Sequence, residues 1–501
     1  MERLDLAGFL AHIEAGATLV PLTRTLQLDR ETPVSLYQRL SPGRAFFLLE
    51  SAALGEETGR YSFIGLDRLW RVTTRGEATV CEGIDRPGGA DSPLRVLRAL
   101  LARHRAPRTP GLPDLTAGAV GFVAYDYVRR LERLERAPED DPWPDIDFSF
   151  PGAVLICDHL RHSTTVVVSA VLDGSAPAAT YEAATGRLEE IVDTLTSPAP
   201  ASDPAAERLV ALAPEERDLV DVRGLAVRLS NFTREGYGAV VERAQGHIGA
   251  GDVFQVVPSQ QFRRPTTVDP LTLYRVLRAL NPSPYMYLLD NGDNQIVGAS
   301  PEMLVRVADG VVSTRPIAGT RPRGASDAED RALEAEILRD EKEIAEHVML
   351  VDLGRNDVGR VAAPGSMRVE RLAHVERFSH LMHLVSQVSG RLRDGLDAFD
   401  AFDALFPAGT LTGAPKVRAM ELIDGFEPAR RGPYGGAVGY FALNGNADFA
   451  ITIRTVSIRG GVATVQAGGG VVADSTPELE YRECLNKASA PLLALQIADP
   501  L

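Results

Sequence analysis

The sequence predicts an α+β fold, and three features of the chain support this class. Short β-like runs alternate with turns in the first half, at residues 45–50, 78–81, 117–125 and 164–170. Helical periodicity becomes clear only after about residue 230. From there on, helices and strands mix without the regular strand–helix–strand alternation that indicates a parallel sheet.

Three helices can be predicted from their ends. Thr233 is a suitable N-cap for the first, whose apolar residues follow at helical spacing. The second covers about 328–353, and Gly354 would be a natural C-terminal stop for it. The third begins at Thr476 and Pro477, a capping residue followed by the proline that is favoured in a first helical turn.

Length and composition indicate more than one structural unit. With 501 residues the chain is too long for one ordinary core. Alanine, proline and acidic residues are concentrated between 197 and 216, which predicts a linker there. This linker would separate an N-terminal region, 1–196, from a C-terminal catalytic region, 229–497, in which the motifs are clearest.

The chain is acidic, which limits the partners it is expected to have. Lysine and arginine total 53 against 68 aspartate and glutamate residues, and the formal charge is −15. A large nucleic-acid or membrane footprint is therefore not expected. Three separated cysteines, an N-terminus without an apolar signal and no run long enough to span a membrane predict a cytoplasmic protein. An anionic substrate would need a metal ion or a few well-placed cations.

Two pairs of carboxylates lie on the predicted helices. Glu343 and Glu346 are three residues apart on the second helix, and Glu480 and Glu483 on the third, so each pair shares a helix face. If the two faces met, their oxygens would suit Mg²⁺, which takes few protein carboxylates and completes its shell with water and substrate. A solvated helix face is the alternative interpretation, and the spacing alone does not decide between them.

Two further features could bind an anion. Lys487 follows Glu483 by one helical turn, so it could receive a substrate carboxylate or simply form a salt bridge with that glutamate. The glycine triplet 468–470 could present bare N–H groups, although such triplets also occur in plain turns. The segment 409–416, GTLTGAPK, lacks the order of a phosphate-binding loop, so no nucleotide site is predicted there.

Several sequence blocks occur in a characteristic order over residues 230–495. They read GDVFQVV from Gly251, GASPE from Gly298, PIAGTRPRG from Pro316, EIAEH from Glu343, VDLGRND from Val351, PYGGAVG from Pro433, and the stretch 468–487. Looser blocks precede them at 48–51, 60–65 and 118–126. Together these blocks resemble the chorismate-utilising enzymes, and most closely the anthranilate synthase family among them. Gly354 and Gly435 stand where that family often has alanine and serine, and both keep the position small.

The resemblance implies a fold, a cofactor and a substrate site. The fold would consist of large antiparallel sheets packed face to face with helices around them. The cofactor would be Mg²⁺, held by Glu346 and Glu483 with Glu343 and Glu480 beside them. The residues implied to bind chorismate are Gly319, Thr320, Tyr434, Arg454, Gly468, Gly469, Gly470 and Lys487.

The resemblance also implies the chemistry of the site. Glu302 matches the acid that protonates the departing C4 hydroxyl of chorismate, and we expect neighbouring carboxylates to raise its pKa. His383 and Thr410 match residues near the ring, and His383 would assist loss of the C2 proton. Ammonia would add at C2 to give 2-amino-2-deoxyisochorismate, and elimination of pyruvate would then yield anthranilate, the first step of tryptophan biosynthesis.

Gln255 and Ala318 distinguish the chain from other members of the group it resembles. Isochorismate-forming enzymes carry a lysine where Gln255 stands, because water must be deprotonated before it attacks. Aminodeoxychorismate synthases typically carry a nucleophilic lysine where Ala318 stands. Ammonia already has a free lone pair, so the absence of both lysines favours anthranilate synthesis. The alternatives are an aminodeoxychorismate synthase and a non-catalytic protein that binds chorismate or tryptophan.

A partner and an inhibitor follow from the same resemblance. No segment resembles a glutaminase, so we expect a separate glutamine amidotransferase subunit to supply ammonia within a hetero-oligomer. L-Tryptophan is the expected feedback inhibitor, with Glu50 and Ser51 facing its polar groups and Pro284, Tyr285 and Met286 forming an apolar bed for the indole. The alternative is that 48–51 ends an ordinary strand and 281–284 forms a turn.

Overall fold

The computed structural model describes residues 4–41, 43–51, 59–134, 143–197, 220–377 and 381–500. The side chains of Thr320 and Leu381 lie outside this description, and so does all of the predicted linker except residue 197. The proposed boundaries between regions therefore stay predictions.

Twelve α-helices lie in the described residues. Not one of these helices has the length and apolar character needed to cross a membrane. They are α1 (Leu6–Glu14), α2 (Pro33–Leu40), α3 (Pro93–Leu101), α4 (Pro177–Thr196), α5 (Val222–Leu229), α6 (Arg234–Gly249), α7 (Pro270–Leu280), α8 (Asp327–Ile337), α9 (Glu341–Gly359), α10 (Ala398–Leu405), α11 (Lys416–Phe426) and α12 (Pro477–Ala498).

The strands follow the predicted β-like runs closely in the first half of the chain. They are β1 (Leu19–Leu26), β2 (Ala45–Glu50), β3 (Tyr61–Arg75), β4 (Ala78–Glu82), β5 (Gly118–Val123), β6 (Ile146–Asp158), β7 (Ser163–Val171), β8 (Gln255–Val256), β9 (Ser259–Pro265), β10 (Tyr285–Asp290), β11 (Asn294–Ser300), β12 (Met303–Ala308), β13 (Val311–Thr314), β14 (Ile317–Pro322), β15 (Arg368–Arg377), β16 (Leu381–Arg391), β17 (Gly413–Ala414), β18 (Ala437–Ala442), β19 (Ala447–Ile451), β20 (Thr455–Arg459) and β21 (Val462–Gly468).

Nineteen of these strands form one continuous sheet, and β8 and β17 form a separate two-stranded ribbon. Strands from both halves of the chain share the large sheet. β2 pairs antiparallel with β10, so that Glu50 stands opposite Met286, and β5 pairs antiparallel with β18. The N-terminal strands are therefore integral to the sheet on which the C-terminal site is built.

Helices bury apolar side chains on the sheet in two large clusters. One cluster includes Leu188 of α4 and Leu492 of α12, and the other includes Leu97 of α3 and Phe402 of α10. A third, smaller cluster lies between strands β2, β5, β10 and β18, which come from both halves of the chain. The predicted class, α+β with large antiparallel sheets and surrounding helices, is confirmed.

The first and third predicted helices are α6 and α12. The second, predicted over about 328–353, begins where expected, but it is two helices, α8 and α9, and its predicted end at Gly354 was wrong. The helical structure ends with α8. Asp340 then caps a new helix by accepting hydrogen bonds from the N–H groups of Lys342 and Glu343 at 3.1 and 3.2 Å. Helix α9 then runs through Gly354 to Gly359. A Cβ at residue 354 would lie 3.2 Å from Cγ2 of Thr314, so this glycine serves close packing rather than helix termination.

Candidate active site

Glu302 lies between β11 and β12 and is buried, with a relative exposure of 9%. Its Oε1 accepts a hydrogen bond from Oγ1 of Thr410 at 3.0 Å. Burial raises the pKa of Glu302 to about 7, although the Thr410 hydrogen bond and the charges of Lys487 and Arg454 act in the opposite direction. The expected direction is present, but the expected cause was wrong: the charged neighbours are cations, and desolvation outweighs them. A carboxyl group with this pKa can hold its proton near neutral pH.

His383 lies on β16, where its Nδ1 contacts the carbonyl oxygen of Gly319 at 3.1 Å. Because a carbonyl oxygen only accepts hydrogen bonds, Nδ1 is the donor, and the lone pair of the neutral ring lies on Nε2. Burial lowers the pKa of His383, and the charge of nearby Arg454 acts in the same direction. The ring is therefore neutral and can accept a proton at Nε2. Thr320 pairs with His383 through the backbone, and its side chain lies outside the described residues.

Arg454 and Tyr434 place polar groups next to the acid. The backbone of Arg454 is left-handed, with φ of 53°, and its guanidinium has no hydrogen-bond or ion-pair partner among the described residues. Burial lowers the pKa of Arg454, while the charges of Tyr434, Glu483 and Glu302 act to raise it. Tyr434 is buried, and burial raises its pKa, so the phenol keeps its proton. An anion bound here would meet an unpaired guanidinium and a hydroxyl donor.

Lys487 forms the salt bridge that its spacing allowed, and it also contacts the glycine triplet. Its Nζ lies 2.5 Å from Oε1 of Glu483 on the same helix, which is the predicted salt bridge. The same Nζ donates a hydrogen bond to the carbonyl oxygen of Gly468 at 3.0 Å, and its charge acts on Glu302. The ammonium therefore lies between helix α12, the glycine triplet and the candidate acid.

The glycine triplet is required by close approach to other candidate residues. A Cβ at Gly468 would lie 2.5 Å from the carbonyl oxygen of Pro258. At Gly469 a Cβ would lie 2.6 Å from Oε2 of Glu480, and at Gly470 it would lie 2.6 Å from Nε2 of Gln255. A side chain at the last two positions would displace Glu480 or Gln255, so the bare backbone is part of the candidate site.

The carboxylates of α9 and α12 lie within electrostatic reach of one another. Burial raises the pKa of Glu346, and the negative charges of Glu343 and Glu483 add to that effect. Burial likewise raises the pKa of Glu480, whose Oε1 accepts a hydrogen bond from Ser475 at 2.7 Å. The two helix faces therefore meet. In the parts of the chain that the structure describes, however, no three acidic, histidine or cysteine side chains converge as a preformed metal site.

Sequence reasoning missed two residues that hold these carboxylates. Arg321 donates to Oε1 of Glu343 at 3.1 Å and to Asp340 at 2.9 Å, so it fixes the start of α9. Its presence in the block from Pro316 was a usable signal. Ser475, which fixes Glu480, precedes the capping residue of α12 by one position, and nothing in its sequence context indicated that role.

A second cavity, of about 390 Å³, lies beside the segment between β11 and β12 that bears Glu302. All five residues predicted for the inhibitor line it, namely Glu50, Ser51, Pro284, Tyr285 and Met286. Met303 also lines this cavity and directly follows Glu302 in the chain. The cavity is therefore lined by both chain neighbours of the candidate acid, Pro301 and Met303.

Glu50 is less available to a ligand than the sequence suggested. Its carboxylate is buried and accepts hydrogen bonds from the hydroxyl groups of Tyr274 and Ser62. Nε of Arg278 lies 3.3 Å from the same carboxylate. A ligand ammonium would therefore join an existing network of donors rather than meet an isolated charge.

Comparisons with known proteins agree with this architecture. The family described as chorismate binding enzyme matches residues 44–493. Anthranilate synthase component 1 from Mycobacterium tuberculosis (strain ATCC 25618 / H37Rv) is 50% identical over 506 residues, covering 98% of this chain and 95% of that protein. The crystal structure of anthranilate synthase component I from Streptococcus pneumoniae TIGR4 has a TM-score of 0.73 and 36% identity, covering 94% of this chain and 99% of that one. The menaquinone-specific isochorismate synthase from Escherichia coli, with a TM-score of 0.69 and 20% identity over 98% of this chain and 99% of that one, supports the fold alone.

The chain belongs to the chorismate binding enzyme family. Within that family, component 1 proteins of anthranilate synthase that are 44% and 50% identical to this chain match it over nearly its full length. The family assignment made from the sequence blocks is confirmed, and so is the interpretation of the chain as an enzyme of the lyase class.

Proposed function

We propose that the chain is the chorismate-converting subunit of an anthranilate synthase, which makes anthranilate and pyruvate from chorismate and ammonia. The observation that carries this proposal is the arrangement around Glu302. A buried carboxyl group with a pKa near 7 is held by Thr410 and lies close to the cations Arg454 and Lys487. Such a group can give a proton to a poor leaving group while the cations hold the anionic substrate.

Substrate binding would use the unpaired and partly paired polar groups of the site. Chorismate is a dianion, and the guanidinium of Arg454, next to Glu302, has no hydrogen-bond or ion-pair partner among the described residues. Lys487 and the phenol of Tyr434 would complete the contacts to the carboxylates and the enolpyruvyl arm. The backbone N–H groups of 468–470 can approach the substrate because no side chain stands in the way.

The proposed reaction needs one proton donor and one proton acceptor. Glu302 donates its proton to the C4 hydroxyl, which leaves as water while the lone pair of ammonia attacks C2. The resulting ammonium loses a proton and leaves 2-amino-2-deoxyisochorismate. His383, neutral and with its lone pair on Nε2, then assists removal of the C2 proton while the C3–O bond breaks and the ring becomes aromatic. The departing enolpyruvate takes up a proton on carbon and becomes pyruvate.

Magnesium is the proposed cofactor, and one feature of the described residues favours it. Oε2 of Glu480 is buried without a hydrogen-bond partner, and such an atom is suited to a cation or its bound water. Glu346 and Glu483 would hold the ion, with Glu343 and Glu480 beside them. When bound, Mg²⁺ would neutralise and orient a substrate carboxylate next to Lys487.

Gln255 supports ammonia rather than water as the nucleophile. Its amide donates to Oε1 of Glu346 at 3.2 Å and packs against Gly470, so no base occupies this position. The residue at position 318 is alanine and offers no nucleophile either. All three cysteines, at 81, 157 and 484, have raised pKa values, chiefly through burial, so none of them resembles a glutaminase thiol. We therefore propose that a separate amidotransferase subunit supplies the ammonia.

Feedback inhibition by L-tryptophan is the second part of the proposal. The cavity of about 390 Å³ gathers the five predicted residues from strands that are about 230 positions apart in sequence. Its apolar wall suits an indole, and its carboxylates suit an ammonium group. Because Met303 lines it next to Glu302, occupancy of the cavity would shift the segment between β11 and β12 that bears the acid.

A product assay tests this proposal. The purified chain is supplied with chorismate, Mg²⁺ and an ammonium salt, and anthranilate is followed by its fluorescence. Lys487→Met is the control, because it removes a proposed substrate contact and should abolish the signal. A product other than anthranilate would reject the proposal.

A further inference from the structure

Lysine is rare in this chain, although basic residues are not. Of the 53 lysine and arginine residues, only Lys342, Lys416 and Lys487 are lysines. Lys487 belongs to the proposed substrate site and Lys342 is exposed at the start of α9. Lys416 ends the segment 409–416. Thr410 of this segment holds Glu302, whereas Lys416 itself has no role in the mechanism above.

Lys416 forms a largely buried ion pair and connects three helices, α9, α10 and α11. Its Nζ lies 2.7 Å from Oδ2 of Asp357, and the two side chains are 12% and 8% exposed. The same Nζ donates to the carbonyl oxygen of Leu405 at 3.3 Å. The start of α11 is thereby anchored to α9 and to the end of α10, across 59 residues of sequence in the case of Asp357.

The other residues of the segment contact the site directly. At its beginning, Thr410 holds the carboxyl group of Glu302. In its middle, Gly413 and Ala414 form the ribbon β17, which pairs with Gln255 and Val256. A Cβ at Gly413, whose φ is 137°, would lie only 2.1 Å from the carbonyl oxygen of Gln255. The segment 409–416 therefore contacts both Glu302 and Gln255, and Lys416 anchors its C-terminal end.

The Lys416–Asp357 ion pair and the Thr410–Glu302 hydrogen bond lie next to the same small cavity. Glu302, Thr410, Asp357 and the end of α10 line this cavity, whose volume is about 40 Å³. Loss of the anchor at Asp357 would give the segment room to move into this space. Thr410 would then leave the position from which its hydroxyl reaches Oε1 of Glu302.

We propose that Lys416, through its ion pair with Asp357, is a positioning residue that holds Thr410 against the catalytic acid Glu302. This role rests on the proposed function, because it depends on Glu302 acting as the catalytic acid. Lys416 itself touches neither the acid nor the ring; it acts through the backbone of 409–416.

Loss of the Lys416 anchor should shift the pKa of Glu302, and the direction of the shift can be worked out. The Thr410 hydroxyl favours the ionised form of Glu302 and so lowers a pKa that burial raises. Arg454 and Lys487 are the charged groups that act on this carboxyl, and they are unchanged in the variants below. Releasing Thr410 should therefore raise the pKa of Glu302 further. Since the acid must be protonated to act, the alkaline limb of kcat/KM should move to higher pH.

The test compares Lys416→Met, Asp357→Asn, Thr410→Val and the double variant Lys416→Met/Thr410→Val with the wild type, using ammonium as the nitrogen source. We expect Lys416→Met and Asp357→Asn to lower kcat about tenfold or more, with KM for chorismate within about twofold. Both variants should move the alkaline limb of the kcat/KM profile to higher pH, and Thr410→Val should do the same. The double variant should move it no further than Thr410→Val alone, because the two changes act on one interaction. Lys416→Arg, which keeps the positive charge, should retain part of the kcat that Lys416→Met loses.

A matched control removes a different enclosed ion pair. Arg71→Met breaks the contact between Arg71 and Asp147, at 2.7 Å and far from Glu302 in sequence, and should lower stability without moving the limb. An unmoved limb in Lys416→Met, or a limb shift in the double variant equal to the sum of the single ones, would overturn the proposal. A crystal structure of Lys416→Met, or of Asp357→Asn if that variant folds better, gives a readout independent of activity. The Thr410–Glu302 distance should exceed hydrogen-bonding range, and an unchanged 3.0 Å contact would contradict the proposal even if the wild type made no anthranilate.

Discussion

Gln255 donates a hydrogen bond from Nε2 to Oε1 of Glu346 at 3.2 Å, and so links the ribbon β8–β17 to the helix that bears the predicted metal ligands. The same amide fills the space that Gly470 leaves open. Position 255 therefore contacts both a carboxylate of α9 and the glycine triplet, and we propose that it also faces the side from which the nucleophile approaches.

Replacing this amide by an amine should change which nucleophile is used. In Gln255→Lys the new ammonium would pair with Glu346, and in its neutral form it could act as a base for water. We expect anthranilate formation to fall and a hydroxylated product to appear. Chromatography of the products from chorismate and ammonium provides the measurement, with Gln255→Met as a control that removes the amide without adding a base. Intact amination without any hydroxylated product would mean that this position does not select the nucleophile.

The carboxylates of α9 and α12 should matter for activity rather than for folding. Glu346→Gln and Glu483→Gln each remove a charged oxygen from the proposed Mg²⁺ site, so each should lose most turnover, above all at limiting Mg²⁺. Thermal unfolding should change little. Glu478→Gln is a suitable control, because Glu478 lies on the same helix but pairs with Arg234 and Arg482. Near-normal turnover of both site variants at limiting Mg²⁺ would return these residues to a solvated helix face.

The pH dependence should report the buried acid. With a pKa of about 7, Glu302 loses its proton as the pH rises through neutrality, so kcat/KM should fall on the alkaline side. Glu302→Gln keeps the size of the side chain but cannot donate a proton as an acid, and should lower kcat by about 10²- to 10⁴-fold. A pH–rate profile of the wild type and the variant checks both statements. An alkaline limb that survives in Glu302→Gln would belong to another group.

Tryptophan inhibition should weaken when the second cavity is altered. Ser51→Phe would fill the cavity and Met286→Ala would remove part of its apolar wall, so both should raise the tryptophan concentration needed for inhibition. The coupling to be lost is about 1–3 kcal/mol, as is typical of allosteric sites. Turnover without tryptophan should stay almost unchanged. Wild-type inhibition of both variants, or simple competition between tryptophan and chorismate, would contradict a separate regulatory site.

The features that sequence reasoning predicted well are local ones. Thr233 and Thr476 cap their helices because a hydroxyl side chain and the next helical turn are sufficient for that structure. The strands of the first half follow from short apolar runs bounded by turns. The spacing of Glu343 and Glu346 placed them on one helix face without any knowledge of what faced them.

The features that were missed depend on contacts between distant residues. Gly354 resembled a helix stop, but its neighbour Thr314 lies 40 positions earlier in the chain and requires a small residue inside the helix. The raised pKa of Glu302 comes from burial by the sheet, which no local pattern reports. The partners of Glu50, Tyr274 and Arg278, are more than 220 positions away in sequence.

The most direct test of the account is the product that the purified chain forms from chorismate, Mg²⁺ and ¹⁵N-ammonium, with glutamine supplied in a parallel reaction. The account predicts ¹⁵N-anthranilate and an equal amount of pyruvate from ammonium, and no turnover with glutamine until an amidotransferase subunit is added. Formation of isochorismate or of 4-amino-4-deoxychorismate, or glutamine-dependent turnover by the single chain, would contradict it.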